Sequence, residues 1–328
     1  MKMYQKMRVK KIITSFEKID NKNYMKESAG GIIMTLEQAY KSGKEFLTNA
    51  KINDAEIDAW YLIEHLTGYD RAYYFSHQEE ELTEKQIEEY KALIEKRAQH
   101  IPLQHLTGVQ EFMGYEFKVN ENVLVPRMET EFLVEDAIDI LRRVFTPSYK
   151  EAGKTIRVLD MCTGSGCIII SILKWMKKNA VNVEGIAVDI SEKALEVAKE
   201  NAEKLDASPV FLQGDLFEPV VGKFELIVSN PPYIPTADIE KLDLEVKDHD
   251  PYLALNGEED GLHFYRRIIK DSTKYMVPGG WLLFEVGHDQ GREVHALMRE
   301  NGYSNVEVRK DLSGLDRIVV GMYDGKVK

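Results

Sequence analysis

The chain has 328 residues, 44% of them hydrophobic, and a formal net charge of -12. It is long enough for a sizeable core in two domains, and no apolar run reaches the ~18 residues of a membrane-spanning helix. The acidic balance disfavours a broad nucleic-acid surface, which needs a basic face, and favours a protein or small-molecule substrate.

Residues 1–33 carry eight Lys/Arg against three acids, so this segment is +5 and the remainder is -17. It lacks the apolar centre of a signal peptide and the arginine bias of a transit peptide. It reads as a poorly ordered extension, with a basic docking arm as the other reading and Met34 as an alternative start. Residues 34–105 read as a small helical domain. Thr35 with Gln38 forms one capping box, Asn53 with Glu56 a second and Thr83 with Gln86 a third, each followed by a helical apolar stripe. Gly68 is placed to end the second helix. The aromatic stretch Tyr69 to Phe75 joins the second helix to the third.

Residues 106–125 read as a linking hairpin. Tyr115, Phe117 and Val119 alternate, Asn120-Glu121-Asn122 breaks the run, and Val123 and Val125 resume it. Residues 126–328 form the larger domain. A helix opens after Pro126 and runs through Leu141, and Thr146 to Gly153 reads as a loop. Strands follow at Ile156–Leu159, Gly185–Val188, Val210–Leu212, Phe224–Val228, Trp281–Val286, Val306–Arg309 and Arg317–Met322. Helices are expected between them, including Ile168–Trp175, one capped by Ser191, Leu262–Met276 and Glu293–Asn301. Alternating strands and helices imply a doubly wound α/β sheet that ends in an antiparallel hairpin. Cys162 and Cys167, the two cysteines, share one apolar segment; they form no disulfide framework and suit a reducing cytosol.

The first strand runs into Asp160-Met161-Cys162-Thr163-Gly164-Ser165-Gly166 and then directly into a helix. A glycine turn at a helix N-terminus lets backbone approach a ligand closely, although many nucleotide folds share it. The next strand ends at Asp189, where an acid can accept from ribose hydroxyls, and Asp215 follows the third. Three acids at three strand ends need donors or a cationic ligand, because burying them unpaired is costly. The fourth strand ends at Asn230-Pro231-Pro232-Tyr233. By itself this is equally a strand-end turn with a packed aromatic. Two prolines stiffen the corner, and an Asn oxygen plus a proline carbonyl are two acceptors suited to an NH2 group. A nicotinamide cofactor and S-adenosylmethionine both offer ribose hydroxyls to Asp189. Only the second adds a sulfonium and an amino group, and the Asn230 corner serves an amine or amide nucleophile rather than a hydride.

These features resemble a class I S-adenosylmethionine-dependent methyltransferase with the Asn-Pro-Pro-Tyr signature, whose members methylate planar NH2 groups in DNA, RNA or proteins. Longer motifs narrow the resemblance. Pro102 to Gly108, Glu111-Phe112-Met113-Gly114, Val125-Pro126-Arg127 with Glu129-Thr130-Glu131, Asn230 to Tyr233, Ala254-Leu255 with Asp260-Gly261-Leu262, Glu285-Val286-Gly287, and Asp311-Leu312 with Gly314 and Asp316-Arg317 all resemble the HemK/PrmC family. These are the release-factor glutamine methyltransferases, and the likeness spans about residues 35 to 323. Met128, Cys162 and Asn256 to Glu259 depart from the family's usual residues without removing a group the chemistry needs.

The resemblance implies a Rossmann-like, seven-stranded, mostly parallel sheet preceded by a helical bundle. It implies methylation of the side-chain amide of the Gly-Gly-Gln glutamine in class 1 release factors, with S-adenosylmethionine as cofactor and no metal. Carried over, Asn230 and Pro231 hold the substrate NH2, Pro232 and Tyr233 wall the slot, and Phe112 faces it from the hairpin. Asp160 and the turn Cys162, Thr163, Gly164, Ser165 and Gly166 cradle the methionine part of the cofactor. Asp189 binds the ribose, Asp215 and Leu216 lie near the adenine, and Asn230 also borders the cofactor. A monomer in the cytoplasm, off membranes and nucleic acid, is expected. The competing assignments are a glutamine methyltransferase of a ribosomal protein and a DNA or RNA amino-group methyltransferase. His249, His263 and His288 are read as structural.

Overall fold

A computed structural model describes residues 26–28 and 31–325 and divides into two compact units, broken between Gly108 and Val109. In the first unit, β1 (Lys26–Ser28) pairs antiparallel with β2 (Gly31–Ile33). Those two stretches of the expected extension are therefore strands, and the rest of that expectation lies outside the described residues. Five helices follow: α1 (Leu36–Asn49), α2 (Ala55–Thr67), α3 (Arg71–Ser76), α4 (Glu84–Arg97) and α5 (Leu103–Thr107). The capping boxes at Thr35 and Thr83 both form. The one expected at Asn53 does not. Asp54 precedes α2 instead, away from the extended backbone that aims a cap, and its side chain makes no capping bond. Gly68 ends α2 in the left-handed region, and Asp70 caps the aromatic stretch as a helix by accepting from the Tyr73 amide at 2.7 Å. Leu36, Leu47, Ala59, Leu62 and Ile94 form the core of this unit. Asp58 and Arg97 pair inside it at 2.7 Å.

The second unit opens with β3 (Val109–Phe112) paired to β4 (Tyr115–Lys118). Met113 and Gly114 both have positive φ, 52° and 73°, which is the twist a two-residue hairpin needs. The hairpin thus lies before the position the alternation suggested. Val119 and Val123 are not paired across Asn120–Asn122; they bury against Ala194 and Val197. Tertiary packing supplied the period that resembled a strand.

Seven strands make the main sheet: β5 (Ile156–Met161), β6 (Val183–Asp189), β7 (Val210–Gln213), β8 (Phe224–Ser229), β9 (Met276–Glu285), β10 (Tyr303–Lys310) and β11 (Asp316–Tyr323). Their order is β10-β11-β9-β8-β5-β6-β7. The strands from β7 through β9 run parallel, and β11 and β10 close the sheet antiparallel. From β5 the chain winds outward through β6 and β7, then returns to β8 on the other side. That reversal opens a crevice at the carboxyl ends of β5 and β8.

Helices cover both faces: α6 (Met128–Ile140), α7 (Thr146–Ala152), α8 (Cys167–Lys178) and α9 (Glu192–Lys204), then the short α10 (Thr236–Ile239), α11 (Leu244–His249) and α12 (Tyr252–Leu255), and finally α13 (His263–Ser272) and α14 (Gly291–Glu300). Val158, Leu226, Val228 and Leu283 pack with Leu133, Ile168 and Ile172 on one face. Leu159, Ile227, Leu282 and Phe284 pack with Tyr265, Ile268 and Val294 on the other. Because neighbouring residues enter opposite cores, these strands read as unbroken apolar runs.

Two boundaries differ from expectation. Thr146 to Ala152 is helix rather than loop; it continues from a π-helical turn, Leu141–Phe145, with Pro147 in its first turn. The helix expected to reach Met276 stops at Ser272. Met276 instead begins β9 by pairing with Phe224.

Candidate functional site

The crevice floor is built where β5 turns into α8. Cys162, Gly164 and Gly166 all have positive φ, at 62°, 54° and 79°. This folds the chain sharply enough to start a helix without an extended connection. The Thr163 amide donates to Val188 O at 3.0 Å, and its hydroxyl donates to Asp160 Oδ2 at 2.6 Å. The turn is thus stitched to both strands beneath it. Cys162 adopts a conformation that favours glycine, at a typical cost of ~1–2 kcal/mol for a residue with a Cβ.

Asp160 is fully buried. Burial raises its pKa to about 7, against the pull of the Thr163 hydroxyl and the Ile169 amide. Asp189, at the end of β6, accepts from the Gly164 amide and the Ser191 amide, both at 2.9 Å. Burial raises its pKa and those amides lower it. The Ile190 amide also bonds this carboxylate, and of its four lone pairs one is left for another hydroxyl or amine. Asp215 follows β7 and pairs with Arg267 of α13 at 2.8 Å. This protein cation, absent from the sequence reading, already balances the third strand-end acid. Leu216 is buried beside it with a φ of 53°.

The second wall is the corner after β8. Ser229 Oγ donates to Met161 O at 2.7 Å, tying the ends of β8 and β5 together. Asn230 Nδ2 donates to Thr130 Oγ1 at 3.3 Å, and Thr130 Oγ1 donates to Glu285 Oε2 at 2.6 Å. Glu285 is 2% exposed; burial raises its pKa to about 7, against the Thr130 hydroxyl and Arg317. Pro231 and Pro232 are buried.

Past the prolines, the Tyr233 carbonyl accepts from Gln290 Nε2 at 2.8 Å. The Ile234 amide donates to Leu255 O at 3.0 Å and the Gly257 amide to Ile234 O at 2.8 Å. Gly261 lies so close that a Cβ there would sit 2.3 Å from Tyr233 O, and its φ is +72°. Only glycine permits that approach. The corner is therefore clamped from behind, and the Asn230 side chain is left at the crevice.

One cavity of about 190 Å³ lies between the two walls. Cys162, Thr163, Gly164, Ser165, Asp189, Asp215, Leu216, Asn230 and Pro232 line it, so nine of the expected residues meet in one place. Asp160, Gly166, Pro231 and Tyr233 are outside the lining and support those that form it. Phe112, expected to face the slot, does not. It is 1% exposed, and its ring stands edge-on to Phe117 at 6.0 Å in the core. The tight Met113-Gly114 turn puts both rings on the buried face of the hairpin.

Three polar residues that hold the corner escaped the sequence reading as individual groups. Thr130 and Glu285 appeared there only inside longer motifs. Gln290, 8% exposed, stood in no motif, and nothing local in the sequence ties it to a turn far away in the chain.

The chemistry of the lining fits S-adenosylmethionine. Asp189 retains acceptor capacity for a hydroxyl, Leu216 and Ile190 offer apolar surface to a flat ring, and the Asp189 carboxylate favours a positive charge. Asn230 offers an amide where a nucleophile would enter.

Residues 38–108 match the family described as PrmC N-terminal domain, and residues 130–244 match the methyltransferase small domain. A release factor glutamine methyltransferase from Clostridium acetobutylicum is 37% identical over 88% of this chain and 97% of its own length. Proteins of the same name from Deinococcus radiodurans and Geobacter sulfurreducens are 39% and 35% identical, over 83% and 88% of this chain and 93% and 97% of theirs. The seven-stranded sheet with its antiparallel closing hairpin is a class I methyltransferase fold. The chain belongs to the family of S-adenosylmethionine-dependent release factor glutamine methyltransferases.

Proposed function

We propose that the chain transfers a methyl group to the side-chain amide nitrogen of the glutamine in the Gly-Gly-Gln motif of class 1 release factors. The observation that carries this reading is the Asn230 side chain at the cavity. Its NH2 is engaged by Thr130, which leaves Oδ1 as the atom available to an incoming N–H. S-adenosylmethionine, when bound, supplies an electrophilic methyl on a sulfonium.

The chain's own residues account for the rest. Asp189 takes the ribose hydroxyls, with Asp215 and Leu216 beside the adenine. Cys162 to Gly166 and Asp160 cradle the methionine end. Asn230 Oδ1 and the Pro231 carbonyl accept the two hydrogens of the substrate NH2, while Pro232 and Tyr233 wall the slot. An amide nitrogen is a weak nucleophile because its lone pair is delocalised into the carbonyl. Two acceptors orient it and raise its electron density. Holding it in attacking position contributes up to ~7–11 kcal/mol in favourable cases. The site thus works by placement, and neither acceptor acts as a strong base.

The helical unit and the methyltransferase unit act in this reading as separate modules, and the enzyme works as a cytoplasmic monomer without nucleic acid. The two cysteines are free thiols, and among the described residues no helix is long and apolar enough to cross a membrane.

The test supplies methyl-labelled S-adenosylmethionine to release factor, ribosomal protein, DNA and RNA side by side, and locates the methyl by mass spectrometry. Label on the Gly-Gly-Gln glutamine is expected. Label on a ribosomal protein or a nucleic acid, with release factor unmodified, would overturn the assignment.

A further inference from the structure

An asparagine side chain can face a cavity with either its oxygen or its nitrogen, and only the oxygen can accept from a substrate NH2. What decides between them is the pair beside Asn230, with Thr130 on the cavity wall. Asn230 Nδ2 is 3.3 Å from Thr130 Oγ1, and Thr130 Oγ1 is 2.6 Å from Glu285 Oε2. In its ionised form Glu285 can only accept, and the Thr130 hydroxyl then donates its single proton to it. Its oxygen is then free only to accept, and the group it accepts from must be the Asn230 NH2. The polarity runs one way along the chain, and Asn230 Oδ1 is turned to the cavity.

Glu285 is itself fixed in place. Its backbone carbonyl accepts from the Tyr265 hydroxyl at 2.9 Å, and its residue is paired in register with Ile318 of β11. Thr130 is held in the first turn of α6 and is 3% exposed. A buried carboxylate against a buried hydroxyl is a costly pair to keep in a protein core.

We propose that Glu285 and the Thr130 hydroxyl together act as positioning residues that set the orientation of the Asn230 carboxamide. This rests on the methyl-transfer reading above. Without the pair, the amide can flip, and the flipped form presents two donors to a substrate that also brings two donors. Only the fraction of molecules with the oxygen inward is competent, so turnover falls with that fraction.

Thr130→Val keeps the shape and removes the hydroxyl, whereas Thr130→Ser keeps the hydroxyl. Single-turnover methylation of release factor and calorimetric binding of S-adenosylmethionine are measured for both, with Glu285→Gln alongside. Thr130→Val should lose at least thirtyfold in rate while cofactor affinity stays within threefold, and Thr130→Ser should stay within about threefold of wild type. Glu285→Gln should lose about tenfold, because a neutral amide can meet Thr130 either way round.

The proposal is overturned if Thr130→Val reacts within threefold of wild type, or if Thr130→Ser loses as much as Thr130→Val. Should Thr130→Val not fold, a wild-type rate in Glu285→Gln overturns it. A wild-type protein that fails to methylate release factor would instead refute the methyl-transfer reading, so the two failures are told apart.

Discussion

Gln290 makes the corner a rigid object, and replacing it isolates that contribution. Gln290→Met keeps the length and approximate volume of the side chain but removes its amide. Three hydrogen bonds go with it: Nε2 to Tyr233 O at 2.8 Å, Nε2 to Gly261 O at 3.3 Å, and the Gly287 amide to Oε1 at 3.1 Å. At a net of about 1 kcal/mol each the loss is about 3 kcal/mol, the long bond counting for less and the stranded buried groups for more. For a unit of this size 1 kcal/mol moves the melting temperature by ~2–4 °C, so a fall of ~6–12 °C is expected. Scanning calorimetry without cofactor measures it. Gln290 does not line the cavity, so cofactor affinity should hold while the rate of methyl transfer drops by about tenfold as the Tyr233 backbone loosens. A melting temperature within 2 °C of wild type, together with an unchanged rate, would show that the clamp does not hold the corner.

Asp189→Asn should weaken S-adenosylmethionine binding by roughly tenfold to a hundredfold, as expected for losing hydrogen bonds to a charged acceptor; isothermal calorimetry reads this, and unchanged affinity would remove Asp189 from the ribose. The buried acid Glu285 gives a pH signature. Burial raises its folded pKa to about 7, with the Thr130 hydroxyl and Arg317 opposing and Glu129 adding to the rise. The native state therefore binds more protons than the unfolded chain between the ordinary glutamate range and pH 7. Stability must fall as pH rises through that window and level off above it, by on the order of 3 kcal/mol. Urea titrations from pH 5 to 8 should show a shallower slope in Glu285→Gln than in wild type, with the remainder due to Asp160, whose shift has the same sign. Equal slopes would mean that Glu285 is not the titrating group.

The sequence exposed most of this site because its parts lie at strand ends, where local pattern and topology coincide. Asp160, Asp189 and Asp215 each close an apolar run, and the glycine turn opens a helix, so their convergence follows from a doubly wound sheet alone. Asn230 and the two prolines were legible for the same reason. The hidden parts come from distant segments. Thr130 is legible only within a motif at a helix start, and Glu285, next to the end of the expected strand Trp281–Val286, carries no local sign that it is buried. Gln290 and Arg267 act on residues far away in the chain, and no periodicity carries that information. Phe112 shows the opposite error: its motif drew it toward the slot, but the two-residue turn after it commits the ring to the core. Val119 and Val123 gave a strand-like period because α9 packs on them, which is a tertiary cause that alternation cannot distinguish from a ladder.

Asn230→Ala tests the central claim most directly. It removes the Oδ1 acceptor and leaves the proline corner and its clamp in place. Losing one preorganised hydrogen-bonding group typically costs ~10²–10³ in rate, and here orientation of the amide nitrogen is lost as well. Single-turnover methylation of release factor should therefore fall by at least about 10³, with S-adenosylmethionine affinity within threefold of wild type. A variant that methylates the glutamine at close to the wild-type rate would contradict the account.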